Sequence, residues 1–173
     1  MDAGMGSAQK KVVVRRFEGG VAWGYLPQEG LRHEEQVELM GVDGRISSIA
    51  INEIKLIAYV RDFNLNDAVD PERLERRTFL GRPRGDGVWM RAVFRDGDVL
   101  EGLADVGVGF LETAMVDGGL FLTPPDGRGN TLRVFVPRAA LDSLVVLGWV
   151  MAPSKRVAKA AKGDAEAQPR LFE

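Results

Sequence analysis

The chain has no cysteine among its 173 residues and a single histidine, His33. Without thiols there is no disulfide framework, no thiolate metal site and no cysteine nucleophile. With one imidazole there is no multi-histidine metal cluster. A serine nucleophile also lacks its base, because His33 sits in the charged 28–36 stretch with no G-x-S-x-G context. Long hydrophobic runs are missing too: no stretch reaches the roughly 18 apolar residues of a membrane span. The start, Met1-Asp2-Ala3-Gly4-Met5-Gly6-Ser7-Ala8-Gln9, lacks the charged-then-apolar layout of a secretory signal, so the expected location is the cytoplasm. Charge of one sign is also in short supply. The 23 basic and 25 acidic side chains leave a net −2, which argues against a surface built for bulk nucleic-acid binding. Carboxylates are plentiful, but no pair has the spacing or apolar setting that raises a pKa for acid–base work. The run Gly81-Arg82-Pro83-Arg84-Gly85-Asp86-Gly87 is glycine-rich, yet it lacks the lysine and helix start of a phosphate-cradling loop. A non-catalytic protein without a cofactor or metal is expected.

Glycine, by contrast, is abundant. Its 21 copies are about 12% of the chain against a usual ~7%, and they fall in a pattern. Glu18-Gly19-Gly20-Val21-Ala22-Trp23-Gly24 and Asp96-Gly97-Asp98-Val99-Leu100-Glu101-Gly102 both read acidic-Gly-x-Val-x-x-Gly, 78 positions apart. Each follows a strand-like run, Lys11-Val12-Val13-Val14-Arg15-Arg16-Phe17 and Val88-Trp89-Met90-Arg91-Ala92-Val93-Phe94. An acidic-Gly pair between such runs predicts a hairpin, because a tight reversal needs the positive φ that glycine adopts without a Cβ clash. The later glycine of each copy, Gly24 and Gly102, falls inside the returning strand and predicts a bulge or sharp bend there.

The likeness continues downstream. Val37-Glu38-Leu39-Met40 then Asp43-Gly44 matches Leu120-Phe121-Leu122 then Asp126-Gly127, and 49–57 matches 134–144. Both endings predict a strand, one short 3₁₀-like turn and a closing strand, at 57–60 and 144–147. Five short strands with a tight turn before the last resemble the small SH3-like and Sm-like barrels. The expected fold is therefore mainly β, with two small SH3-like/Sm-like antiparallel barrels and a short linker helix. The expected layout is a disordered N-terminus (1–9), a first barrel (10–60), an arginine-rich linker (61–86), a second barrel (87–151) and a disordered tail (152–173). Barrels this small are marginal alone, so the two are expected to share hydrophobic residues across a seam. Unpaired strand edges would leave room for edge-to-edge association, although the sequence does not fix the oligomeric state.

The linker segregates its charge. Residues 61–75 carry five acids and two arginines, whereas 76–95 carry six arginines and one acid. Asp70-Pro71-Glu72 reads as a helix start, with an N-cap acid and proline at the first position, and the helix is expected to end near Arg77. The segment Arg73-Leu74-Glu75-Arg76-Arg77, followed by Phe79, Arg82, Arg84 and a barrel strand, resembles the PilZ family. In that family an R-x-x-x-R segment before the first strand grips cyclic di-GMP. The resemblance implies a nucleotide site at Arg73, Arg77, Arg82 and Arg84, with guanidinium forks on phosphate and guanine. The family's D/N-x-S-x-x-G motif corresponds to Asp105-Val106-Gly107-Val108-Gly109-Phe110, which keeps only the aspartate. The alternative is structural: these arginines pair with Asp62, Asp67, Asp70, Glu72 and Glu75 and seat the linker.

The tail ends in Gln168-Pro169-Arg170-Leu171-Phe172-Glu173. It resembles the Q-x-x-L-F peptides that dock on the bacterial DNA sliding clamp. The resemblance implies that Leu171 and Phe172 fill an apolar pocket and Gln168 hydrogen-bonds at its rim, with proline standing where leucine is usual. RNA is a further partner implied by the Sm-like pattern, although no aromatic-basic interleaving marks a stacking platform. Finally, Gly87-Val88-Trp89-Met90, the 94–102 motif, Phe121-Leu122-Thr123-Pro124-Pro125-Asp126 and the 134–141 run together resemble an uncharacterised bacterial domain family of acidobacteria and myxobacteria. That likeness spans most of 11–150 and implies no activity. The function expected is a binding or adaptor module, with the sliding clamp, a cyclic dinucleotide or RNA as candidate partners.

Overall fold

A computed structural model describes residues 9–27, 30–31, 34–63, 75–126 and 129–152. The protein is mainly β and its strands pair antiparallel throughout. The first half contains β1 (Lys10–Arg16), β2 (Val21–Leu26), β3 (Gln36–Met40), β4 (Ile46–Ala50), a 3₁₀ turn (Ile51–Glu53) and β5 (Ile54–Val60). The second half contains β6 (Gly87–Phe94), β7 (Val99–Ala104), a short helix α1 (Val108–Glu112) widening into a π-helical turn (Thr113–Asp117), β8 (Gly119–Leu122), β9 (Thr131–Pro137), a second 3₁₀ turn (Arg138–Ala140) and β10 (Leu141–Val150). No helix among the described residues is long and apolar enough to cross a membrane.

The local chemistry explains the elements. Three consecutive valines stiffen β1 and are buried on both of its faces. Gly19 and Gly97 stand at φ 82° and 88° in the two hairpins, as the acidic-Gly motif requires. In the second, the Asp96 carboxylate accepts from the Asp98 N–H at 3.1 Å, a local bond that favours the reversal. The 3₁₀ turns and closing strands lie where the sequence placed them.

The two halves repeat one pairing scheme, including one irregularity; a second, between Val146 and Gly148, belongs to β10 alone. Val12↔Gly24 and Val14↔Ala22 in the first hairpin become Met90↔Gly102 and Ala92↔Leu100 in the second, a uniform shift of 78. Arg15↔Leu56 and Arg16↔Ile54 skip Lys55, while Val93↔Ser143 and Phe94↔Leu141 skip Asp142. The single link Tyr25↔Met40 between β2 and β3 has its counterpart in Leu103↔Thr123 beside β8. Gly24 and Gly102 lie in unbroken register rather than at bulges. Their role is close crossing: a Cβ would come within 2.7 Å of the Met40 carbonyl oxygen at the first and of the Leu122 Cβ at the second.

The halves do not close as separate barrels. β9 and β8 join the first half in a seven-stranded sheet of order β4-β3-β2-β1-β5-β9-β8, leaving a three-stranded sheet β10-β6-β7. The link at Leu103 and Thr123, two backbone hydrogen bonds of 2.8 and 3.0 Å, makes one continuous strand order from β4 to β10. β9 lies between two cores. Its Phe135 packs with Val12, Ile57 and Tyr59 of the first half, while Val134 and Val136 turn to Met90, Phe94 and Leu122 of the second. Alternating sides of one strand thus feed both interiors, which is how the expected sharing across a seam is achieved. The described helix is α1, between β7 and β8. The linker start Asp70-Pro71-Glu72 lies outside the described residues, and Glu75 to Arg77 are not helical.

Candidate functional site

At the seam the chain encloses a cavity of about 300 Å³. β1 ends on it with Arg15 and Arg16, β5 adds Lys55, and the linker brings Glu75, Arg76 and Arg77. Five cationic side chains against one carboxylate thus line it, with Phe94, Leu100 and Val134 as its apolar wall. The linker is fixed there by backbone bonds. The Arg77 carbonyl accepts from the Glu101 N–H at 2.7 Å, and the Arg76 N–H donates to Asp126 at 3.0 Å. Glu75 accepts from the Thr131 N–H at 3.0 Å.

Charges beside the cavity are partly neutralised. Lys55, mostly buried, donates to both Asp96 and Asp98, and Arg77 donates to Asp98 at 3.0 Å. The hydrogen bond from Lys55, joined by the charges of Lys55 and Arg77, holds the Asp98 carboxyl below its usual range. Lys55 also lies over the Phe94 and Phe17 rings, at 5.2 and 5.9 Å. Arg16 and Thr131 are among the residues lining the cavity, but the Arg16 Nε and the Thr131 Oγ1 are themselves buried, without a hydrogen-bond partner, behind its surface.

Glu101 organises the outer face of β6 and β7. Burial pushes its carboxyl up, but bonds from Arg91 (2.7 and 3.0 Å), the Phe79 N–H (3.1 Å) and the Trp89 indole (3.2 Å) outweigh it and leave the group below its usual range. A second cavity, near the start of β1, carries Arg133 stacked over Tyr59 and Phe121 at 4.5 and 4.3 Å. Burial there raises the Tyr59 hydroxyl to about 12, Arg133 opposing.

The arginines read from the sequence do not converge. Arg77 lines the seam cavity and is tied to Asp98; Arg82 donates to the Trp149 carbonyl at 2.8 Å, and Arg84 is exposed. Asp105 accepts from the Gly107 N–H at 3.1 Å inside its own turn. Arg73, Gln168, Leu171, Phe172 and His33 lie outside the described residues. Among the described residues Arg77 pairs with Asp98 across the fold, and the linker acids Asp67, Asp70 and Glu72 lie outside them. Arg15, Arg16, Lys55 and Thr131 escaped the sequence reading because each looks like an ordinary strand residue. Among the described residues no group of three or more acidic or imidazole side chains is placed to hold a metal ion.

Fold and cavity together define an antiparallel β protein of two like halves with a cationic pocket at their seam. The chain belongs to the family of unknown function DUF6982, whose model matches residues 8–148. That span takes in both halves and the linker and stops short of Gln168, Leu171 and Phe172. No curated protein and no solved structure matches the chain.

Proposed function

We propose that the protein is a non-catalytic binding module whose seam cavity receives a small phosphorylated anion. The observation that carries this reading is the cavity lining: Arg15, Arg16, Lys55, Arg76 and Arg77 against the single carboxylate of Glu75. Guanidinium forks bind phosphate oxygens through charge-assisted hydrogen bonds. At about 300 Å³ the space is at the small end of ligand pockets, nearer a mononucleotide than a cyclic dinucleotide. The reading keeps Arg77 from the PilZ-like proposal but moves the anion from Arg73, Arg82 and Arg84 toward Arg15, Arg16 and Arg76.

Titration calorimetry with pyrophosphate, guanosine monophosphate and cyclic di-GMP tests it. Arg16→Ala and Arg76→Ala should each weaken binding by about tenfold or more, the worth of one charged hydrogen bond. Arg84→Ala, outside the cavity, should leave binding unchanged. Absence of heat with all three ligands at millimolar concentration overturns the proposal, and binding of cyclic di-GMP alone, lost in Arg73→Ala, returns the site to the PilZ-like arrangement. Two copies of an SH3-like or Sm-like unit remain our proposal for the origin of the halves, supported by their shared pairing scheme. The adaptor role, through Gln168, Leu171 and Phe172, rests on the tail sequence. Capture by an immobilised sliding clamp should vanish when 168–173 are deleted.

A further inference from the structure

The repeated pairing scheme leaves two strand edges in a particular relation. In the first half the closing strand β5 has β1 on one side and β9 on the other. In the second half the closing strand is β10, with β6 on one side and no strand on the other among the described residues. β9 is the fourth strand of its half, and its counterpart, β4, likewise has no strand on its outer side among the described residues. The described residues therefore contain one completed junction, closing strand to fourth strand, and leave the two halves of a second unpaired.

We infer that the free edge of β10 in one copy pairs antiparallel with the free edge of β4 in a second copy, repeating between molecules the β5–β9 junction inside each. The inference is independent of the anion site. Inside the chain, Ile57, Ala58 and Tyr59 face Phe135, Val134 and Arg133. Moved by the shift of 87 that relates β5 to β10 and β4 to β9, these pairs become Leu144 with Ser48, Val145 with Ser47, and Val146 with Ile46. The side chains brought together are those the single chain leaves in water. Leu144, Val145 and Val146 are 39, 45 and 62% exposed, and Ile46 is 70% exposed. β10 is ten residues long and carries neither lysine nor proline, two of the devices by which proteins protect a free edge, and its second register shift, between Val146 and Gly148, lies beyond Leu144, Val145 and Val146. The contact is heterologous, so each copy keeps one open edge until a ring closes or a chain of copies grows.

The full-length protein tests this directly. Sedimentation velocity of the wild type should show mass rising above the monomer with concentration. Val145→Lys and Ser47→Lys should each reduce association by about tenfold or more, because either places a charge where the internal junction buries Ala58 and Val134, with melting temperatures matching the wild type. Mixed in equal amounts, the two variants should form a capped one-to-one heterodimer, since each retains the edge the other has lost.

The absence of native cysteine allows a second readout. Val145→Cys protein mixed with Ser47→Cys protein should give a disulfide-linked dimer on mild oxidation, opposed strand positions being within bonding reach. Neither variant alone should do so to a comparable extent. A wild type that stays monomeric at high micromolar concentration overturns the proposal. Efficient dimers from Val145→Cys alone assign it to a β10–β10 contact and overturn it equally.

Discussion

β5 and β10 occupy the same place in the two halves, face the first strand of each half in the same register, and carry the same skipped residue. Every residue of β5 except Leu56 is buried, whereas β10 is exposed or half-buried along its length except at Val150. Composition does not produce the difference, since both strands are rich in β-branched and aromatic residues. The surroundings do: β9 closes the outer edge of β5, whose alternate side chains enter two apolar clusters, while no strand among the described residues lies beyond β10. An apolar strand reports that burial is wanted, and the topology decides whether the chain supplies it alone.

The junction that buries β5 is the place where the comparison can be broken most severely. Phe135 faces Ile57 across the pair, is fully buried, and makes edge contact with Phe121 at 5.2 Å, which in turn meets Tyr59 at 5.5 Å. Phe135→Ala should cost about 3–5 kcal/mol, the range for emptying a large aromatic site in a core. Urea unfolding followed by tryptophan fluorescence reads the loss as a lower midpoint. If the halves folded independently, the variant would leave part of the transition unmoved; a single shifted transition shows that the junction binds them into one unit.

A second difference lies on the outer faces of the two leading hairpins. Val13 and Trp23 face each other in the first half, and Arg91 and Glu101 stand at the equivalent positions in the second. Trp23 is left half exposed, but Glu101 is buried by the linker, whose Phe79 N–H it accepts and whose Phe79 ring meets Trp89 edge-on at 6.1 Å. Glu101→Gln should destabilise by about 1–3 kcal/mol, because the amide presents a donor to groups that are themselves donors. The pH dependence sharpens the test. The folded pKa values of Glu101 and Asp98 are depressed, so the unfolded chain binds more protons and stability rises with pH. Their contribution is present above the ordinary carboxylate range near pH 4 and is lost as pH falls through the folded values. Urea midpoints measured from neutral pH into acid should show this fall, and Glu101→Gln should flatten it while leaving the share of Asp98.

What was legible in the sequence follows the same division between local and distant causes. The hairpins at Gly19 and Gly97, the 3₁₀ turns and the repeat were readable because each is written in a few consecutive residues. Gly24 and Gly102 were located, and of the bulge or sharp bend expected there the bulge is not formed, since the backbone they admit belongs to β3 and to the end of β8. The placement of β9 was not readable, because nothing in Thr131–Pro137 distinguishes a strand that joins the other half from one that closes its own. The arginines around Arg77 were visible as a cluster. The partner of Arg77 was not, since Asp98 is near only after folding. The seam cavity drew on β1, β5, the linker and β9 at once, and no window of sequence contains all four.

The smallest expected effect is also the most direct measure of how much the neighbour matters. Ala58 and Val145 are equivalent: they face Val13 and Arg91 in matched register, at the same distance from the skipped residue. Ala58 is 2% exposed because Val134 of β9 lies beyond it. A hydroxyl placed there must be desolvated, so Ala58→Thr should cost about 1–3 kcal/mol. Val145→Thr adds the same hydroxyl to a side chain already in water, and threonine keeps the branched Cβ that a strand favours. Measured at dilution where copies are separate, it should change stability by no more than about 0.5 kcal/mol. At concentrations where copies associate, the hydroxyl would enter the new sheet, and the cost of Val145→Thr should move toward that of Ala58→Thr. A cost that stays small at every concentration would show that β10 never acquires the neighbour β5 has.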